Sequence, residues 1–447
     1  MLHQSQLLAA DSVRLLTLDP GHFHASLVQK SMYPQASPVV HVYAPAGPDL
    51  EEHLKRIEGF NSRPENPTHW QEQVYTGADF LERMLRDKAG NVVVLAGNNS
   101  RKTEYISRAV DAGLNVLADK PMAITPPDFA LLRQAFARAE SNKVLLYDIM
   151  TERFEIVSIL ERELAHTPEL FGEFERGTPE EPAIVMESLH HFYKEVAGKP
   201  LIRPPWFYDA RQEGEAVPDV GTHLVDIVQW ECFPEQTLDW KKDIKVLEAH
   251  RWPTRLTLEQ FARTTGVHKF PDYFKPDIGL DGVLNVFANG EVTYSLRGLH
   301  VKVVALWNFE APAGAKDSHH SLLRGTRANI RIKQGPEQNY LSTLYLENKA
   351  GVSAAEFETR VRNTIANLCA TWPGLEVKPA GADWRLVIPE KYTVGHESHF
   401  SEVTENYLRY LAAGKMPAWE VPNMLAKYFT TTEAYRMSHG GKGALNE

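Results

Sequence analysis

Ser12-Val-Arg-Leu-Leu-Thr-Leu-Asp-Pro-Gly-His-Phe-His-Ala25 runs from a short apolar strand, through a Pro-Gly turn, into a helix beginning near Phe23. In a doubly wound α/β sheet this first strand-turn-helix cradles a dinucleotide. The G-x-G-x-x-G glycines there permit a tight turn, close backbone approach to a pyrophosphate, and a phosphate at the helix N-terminus. Only the middle glycine, Gly21, stands here, and Asp19 and His24 occupy the flanking positions. The motif alone reads equally well as an ordinary Pro-Gly turn. Its place at the first strand of the chain decides for the cofactor reading.

Working outward, Val39 to Tyr43, Val92 to Ala96, Asn115 to Ala118 and Lys143 to Tyr147 read as further strands, and Glu104 to Ala112 and Pro127 to Ala139 as helices between them. Strands alternating with helices predict a Rossmann-type doubly wound parallel sheet over residues 11–148. The second strand ends Val42-Tyr43-Ala44-Pro45, without the acidic residue that would bind an adenosine ribose; Asp49 is the nearest carboxylate. The dinucleotide is therefore NAD or NADP, with NAD favoured.

Residues 149–447 change texture. One helix is expected from Thr151 to about Leu164, followed by strands with alternating polar and apolar residues. Asn289-Gly290 signals a hairpin between Leu284–Phe287 and Glu291–Arg297; Val301 to Phe309, Ala328 to Lys333 and Leu341 to Glu347 extend the sheet. The spacing predicts an α+β domain on a large, mostly antiparallel open sheet. Late helices within residues 398–437 are expected to pack back across the domain junction.

The totals exclude several classes. A chain of 447 residues exceeds the size at which one core stops growing, so two domains are expected. The formal charge is -10 with no basic run to follow a phosphate backbone, so no nucleic acid partner is expected. The longest apolar runs, such as Val301 to Trp307, are strand-length, which predicts a soluble chain with no membrane span. Cys232 and Cys369 form neither a disulfide framework nor a zinc knuckle pattern. Met1 to Asp11 lacks the features of a secretory leader, so a cytoplasmic location is favoured, or a periplasmic one if a leader has been removed.

Two segments carry chemistry. Asn115-Val-Leu-Ala-Asp-Lys-Pro-Met122 puts Lys120 at the carboxyl end of a buried strand, where open α/β sheets bind ligands. Burial there is expected to lower the lysine pKa and let it exchange protons. In Ala216-Val-Pro-Asp-Val-Gly-Thr-His-Leu-Val-Asp-Ile-Val-Gln-Trp230, helical periodicity puts Asp219, His223, Asp226 and Trp230 on one stripe beside an apolar one. Asp219 also suits a helix N-cap, and His223 a core histidine; a histidine near its ordinary pKa suits proton exchange with an alcohol.

The order strand, Gly-His-Phe-His, Asn98-Asn99, Asp-Lys-Pro and a later Asp-x-x-x-His resembles the glucose-fructose oxidoreductase, inositol dehydrogenase and MocA-like family. The resemblance implies a hydride exchange between NAD(P) and a secondary alcohol of a sugar, glycoside or polyol. It assigns Gly21, His22, Phe23, His24, Asn98, Asn99 and Lys120 to the cofactor, and Lys120, Asp219 and His223 to catalysis. It leaves open whether Lys120 or His223 is the base. Glu187, His190, Trp206, Tyr208 and Arg211 fall where the family places its substrate, a small carbohydrate. Residues Arg251 to Asp281 and Ala311 to Pro389 exceed the minimal family plan, and a homo-oligomer formed through the C-terminal sheet is implied. The usual Glu-Lys-Pro is Asp119-Lys120-Pro121 in this chain.

The residues also raise other classes. His319-His320 and Gly395-His-Glu-Ser-His399 raise a metal-dependent hydrolase or lyase, but His396 and His399 lack His-Glu-x-x-His spacing and no third ligand is fixed, so no metal is expected. A non-catalytic dinucleotide-binding protein fits the eroded glycines but not the retained Lys120, Asp219 and His223. Within the family, an enzyme that keeps its cofactor and modifies or cleaves a glycoside is the alternative.

Overall fold

The computed structural model describes residues 8–196, 199–349 and 351–441; residues 1–7, which carry most of the leader reading, lie outside them. The first sheet contains β1 (Leu15–Leu18), β2 (Val39–Ala44), β3 (Gln71–Thr76), β4 (Val92–Leu95), β5 (Asn115–Asp119) and β6 (Leu146–Ile149). Its order is β3-β2-β1-β4-β5-β6, and every pair is parallel. Leu-Leu-Thr-Leu in β1 and Val-Val-Val-Leu in β4 are buried throughout, as strands covered by helices on both faces require. The strand order reverses between β1 and β4, and this opens a crevice at their carboxyl ends.

The helices α1 (His24–Leu27), α2 (Pro48–Ser62), α3 (Phe80–Asp87), α4 (Lys102–Asp111) and α5 (Pro126–Asn142) connect these strands. Helix α5 starts where Thr125 and Asp128 form a reciprocal capping box. The helix expected from Phe23 is a single turn, and the edge strand β3, mostly exposed, carries no apolar run that sequence reading registers.

The second sheet has nine strands, ordered β10-β11-β12-β7-β13-β14-β15-β17-β16. They are β7 (Ile184–Tyr193), β10 (Ile244–Leu256), β11 (Leu284–Leu296), β12 (Leu299–Glu310), β13 (Ser318–Arg324), β14 (Ala328–Gln334), β15 (Thr343–Asn348), β16 (Glu376–Ala380) and β17 (Asp383–Val387); β8 (Glu195–Val196) and β9 (Lys199–Pro200) pair separately. Only β7 and β12 run parallel in this sheet. The remaining helices are α6 (Ile156–Ala165), α7 (Val220–Cys232), α8 (Leu258–Thr265), α9 (Ala354–Leu368), α10 (His396–Ala413) and α11 (Glu420–Ser438).

Two expectations are corrected. Asn289-Gly290 makes no hairpin, because β11 runs unbroken through it and pairs along its length with β10, a strand the sequence reading left unassigned. Gly290 is needed there for close packing, since a Cβ would sit 3.0 Å from the His250 carbonyl oxygen. The tight turn lies instead at Arg297-Gly298, where both residues take positive φ between β11 and β12. The helix expected from Thr151 begins with a 3-10 turn at Thr151–Phe154, and the α-helix proper starts at Ile156.

A buried ionic network joins the two halves. Arg153 donates to Asp226 at 2.6 and 2.7 Å and to Glu420 at 3.1 Å, while Lys427 contacts Asp148 at 2.6 Å and Asp226 at 2.7 Å. Asp226 is thus drawn from the chemical stripe of α7 into the core. Helix α10 packs on β6 and the 151–154 turn, and α11 on α5, α7 and β10.

Candidate active site

A cavity of about 770 Å³ lies between the carboxyl ends of the first sheet and the second sheet. Lys120 follows β5 and Asp219 precedes α7; the Lys120 ammonium donates to the Asp219 carboxylate. His223 sits one helical turn beyond Asp219 and lines the same cavity. Its Nδ1 is buried without a partner. Asp219 occupies the N-cap position but makes no side-chain cap hydrogen bond, because its carboxylate is committed to Lys120.

The electrostatics reverse the protonation expected of Lys120. Burial pushes its pKa down, but Asp219, Asp119 and Glu213 together outweigh that and hold it above the ordinary lysine value. His223 is not near its ordinary value either. Burial, reinforced by Lys120, lowers it to about 3, so the imidazole is neutral.

The opposite wall comes from the second sheet. His190 stacks on Trp307 with ring centroids 5.0 Å apart, contacts the Ser188 hydroxyl at 2.9 Å and donates from Nδ1 to Asp317 at 3.2 Å. Lys194, Arg203, Phe207 and Arg385 also line the space. Glu187 does not, since side chains alternate along β7 and it faces away from Ser188 and His190. Tyr208 is buried in a separate aromatic core with Phe192 and Phe261. Arg211 is tied to Asp209 and Asp277, each at 2.8 Å, outside the cavity. Ser188, Glu152, Asp317, His319 and His396 line the cavity; the sequence offers no motif for Ser188, Glu152 or Asp317, because the sheet and α10 bring them together only in three dimensions.

The crossing turn is less open. Gly21 and His22 both donate their backbone N–H to the Ala96 carbonyl at 3.2 Å. Gly97 permits this approach, since a Cβ there would lie 2.2 Å from the Asp19 carbonyl oxygen. A Cβ on Gly21 would meet the Trp206 ring and the Asp49 carboxylate, both at 3.0 Å, and Trp206 Nε1 donates to Asp49 at 2.7 Å. Asn98 donates to Gln212 at 2.7 Å and Asn99 to the Glu213 carbonyl at 2.6 Å, which fastens the β4 loop to the segment before α7. His22, Phe23, His24 and Lys120 stand together on the cavity wall. A pyrophosphate laid over Gly21 would meet the Trp206 indole.

A parallel sheet in 3-2-1-4-5-6 order has the form of a dinucleotide-binding domain, and a lysine, aspartate and histidine cluster lies at its carboxyl edge. Comparison with known proteins agrees. Residues 160–439 match the family described as "Putative oxidoreductase C terminal domain", and residues 33–148 match "Oxidoreductase family, NAD-binding Rossmann fold". The chain belongs to the Gfo/Idh/MocA-like oxidoreductase family, and its cofactor is NAD or NADP. A crystal structure of a "putative oxidoreductase" from Parabacteroides merdae is 52% identical, with 97% of this chain and 98% of that one covered and a TM-score of 0.95. The "Uncharacterized oxidoreductase YhhX" of Escherichia coli is 26% identical over 145 residues, and the match spans 32% of this chain and 38% of that protein. KijD10, a 3-ketoreductase of Actinomadura kijaniata solved with TDP-benzene and NADP, is 12% identical over 95% of this chain and 97% of its own, with a TM-score of 0.56, a likeness of fold. Among the described residues, no helix is long and apolar enough to cross a membrane.

Proposed function

We propose that the protein exchanges a hydride between NAD(P) and a secondary alcohol, or the matching ketone, of a sugar, glycoside or polyol. The observation that carries this is the convergence of charged Lys120, its partner Asp219 and neutral His223 on one cavity. The polar lining supports a polyhydroxylated substrate, for Asp317, His190, Ser188, Arg203 and Arg385 offer both donors and acceptors beside the faces of Trp307 and Phe207.

Bound nicotinamide supplies the hydride acceptor or donor; His22, Phe23, His24 and Lys120 would hold it. The chain's own residues handle the proton. The neutral imidazole of His223, on the cavity wall, takes the hydroxyl proton as base, while the Lys120 ammonium donates a hydrogen bond to the reacting oxygen and stabilises negative charge on it. Asp219 positions that ammonium. In the reducing direction His223 returns the proton.

We also infer that the chain divides near residue 148, and that a second copy covers the open sheet face bearing Val185, Leu189 and Leu306, all half-buried. Light scattering of the purified protein tests the second point, and a monomer at micromolar concentration refutes it. The function is tested by a spectrum of the denatured protein and a screen of sugars and glycosides with NAD and NADP. Sugar-dependent change in nicotinamide absorbance supports the reading; no bound dinucleotide, no affinity and no turnover remove it.

A further inference from the structure

The Gly-His-Phe-His turn and the end of β5 build a cluster that takes no part in the proton transfer, although His22 and His24 also stand on the wall assigned to the nicotinamide. An imidazole nitrogen of His22, one of His24 and a carboxylate oxygen of Asp119 all lie within 4.8 Å of one another. His24 and Asp119 are buried, and both histidines face the cavity. His24 Nδ1 donates to Asp119 Oδ2 at 2.8 Å, and His22 Nδ1 lies 3.9 Å from the same oxygen. A fourth donor stands nearby on α10, where the His396 ring centroid is 5.9 Å from that of His24 and His396 Nδ1 is 3.5 Å from Glu152.

We propose that His22, His24 and Asp119 form a binding site for a divalent transition cation of the zinc, cobalt or nickel class, open to the cavity. Two imidazoles and one carboxylate suit that class, whereas calcium and magnesium prefer all-oxygen shells. Ligand atoms around a tetrahedral ion with bonds of about 2.1 Å stand roughly 3.4 Å apart, so the three groups close on an ion by side-chain shifts of about 1 Å. Three protein ligands leave a position facing the cavity, the arrangement of a site that binds an oxygen of its ligand.

The two neighbouring lysines do not occupy the cluster. Lys102 donates to the main-chain carbonyls of Asp119 and Lys120, at 3.0 and 3.4 Å, and Lys120 is paired with Asp219. The residues differ from the His319-His320 and His396/His399 sets that spacing disfavours. His22 and His24 are two apart and adjoin Asp119 only because β1 and β5 end on the same edge of the sheet.

The test uses the full, tag-free protein stripped with a chelator and titrated with zinc by calorimetry and with cobalt by visible absorption. The expected result is a single equivalent bound, cobalt d–d bands, and a rise in Tm with zinc. His22→Ala, His24→Asn and Asp119→Asn should each weaken zinc binding by about 100-fold or more, while His268→Ala, at an exposed position, leaves it unchanged. Far-UV circular dichroism of each metal-free variant reports folding, and three independent variants keep the test decisive if one fails to fold. No binding by the stripped protein, or binding equal in wild type and the folded variants, overturns the site. This outcome is separate from the hydride reading: zinc binding without sugar turnover keeps the site, and turnover without metal binding removes the site alone.

Discussion

Removing the indole that lies over Gly21 should tighten dinucleotide binding. In the structure Trp206 is buried, stands where its ring would lie 3.0 Å from a Cβ on Gly21, and donates Nε1 to the Asp49 carboxylate at 2.7 Å. A pyrophosphate crossing Gly21 must displace that ring, and a hydrogen bond to a charged acceptor contributes roughly 1.5–3 kcal/mol. Trp206→Ala abolishes this cost in the free protein, so the Kd for NADH or NADPH should fall about 10- to 150-fold. Trp206→Phe loses the hydrogen bond but keeps a ring, and its Kd should fall between the two. Calorimetry or nicotinamide fluorescence measures the constants, and thermal unfolding confirms that the variants are folded. A folded Trp206→Ala protein that binds the dinucleotide no better than wild type refutes the reasoning, and with it the placement of the pyrophosphate over Gly21.

Lys120→Met and His223→Asn should each abolish turnover while the protein stays folded; near-normal kcat in either variant takes that residue out of the mechanism. His190→Ala should raise KM more than it lowers kcat, because the ring contacts Ser188, Asp317 and Trp307 on the wall opposite α7; an unchanged KM would count against a substrate contact. Arg153→Met should destabilise the fold by about 3–5 kcal/mol by leaving Glu420 without its buried cation and Asp226 with Lys427 alone, read as a loss of denaturation midpoint. His53 is buried with neither ring nitrogen bonded, and burial, then Arg56, lowers its pKa from 6.5 to about 4. The unfolded chain therefore binds this proton more readily, so stability is intact above pH 6.5 and is lost as pH falls toward 4, by about 2 kcal/mol at pH 5. His53→Leu should flatten that slope in urea melts at pH 8 and pH 5, and an unaltered slope would show that His53 titrates normally.

The sequence by itself determined the first sheet apart from its exposed edge strand β3, and the segments that bear its chemistry. Runs such as Val92 to Leu95 must be buried on both faces, and a lysine placed directly after the β5 run has to emerge at the strand's carboxyl edge. The helical spacing of Asp219 and His223 likewise follows from a single local period. Local pattern was silent, or misleading, wherever partners distant in the chain decide. Asn289-Gly290 has the composition of a hairpin, yet a long neighbouring strand keeps it extended. Glu187 and His190 are three residues apart, so strand alternation puts them on opposite faces, but only the packing of the sheet decides which face meets the cavity. Trp206 reads as a substrate residue until the fold sets it beside Gly21, and Asp226 shares a helix stripe with Asp219 and His223 until Arg153 and Lys427 enclose it. Protonation was decided in the same way. Burial alone predicts a depressed Lys120, and the assembled site reverses the sign because Asp219 and Glu213 arrive from a different part of the chain. Electrostatic energy depends on distance in space, which the order of residues along the chain does not specify.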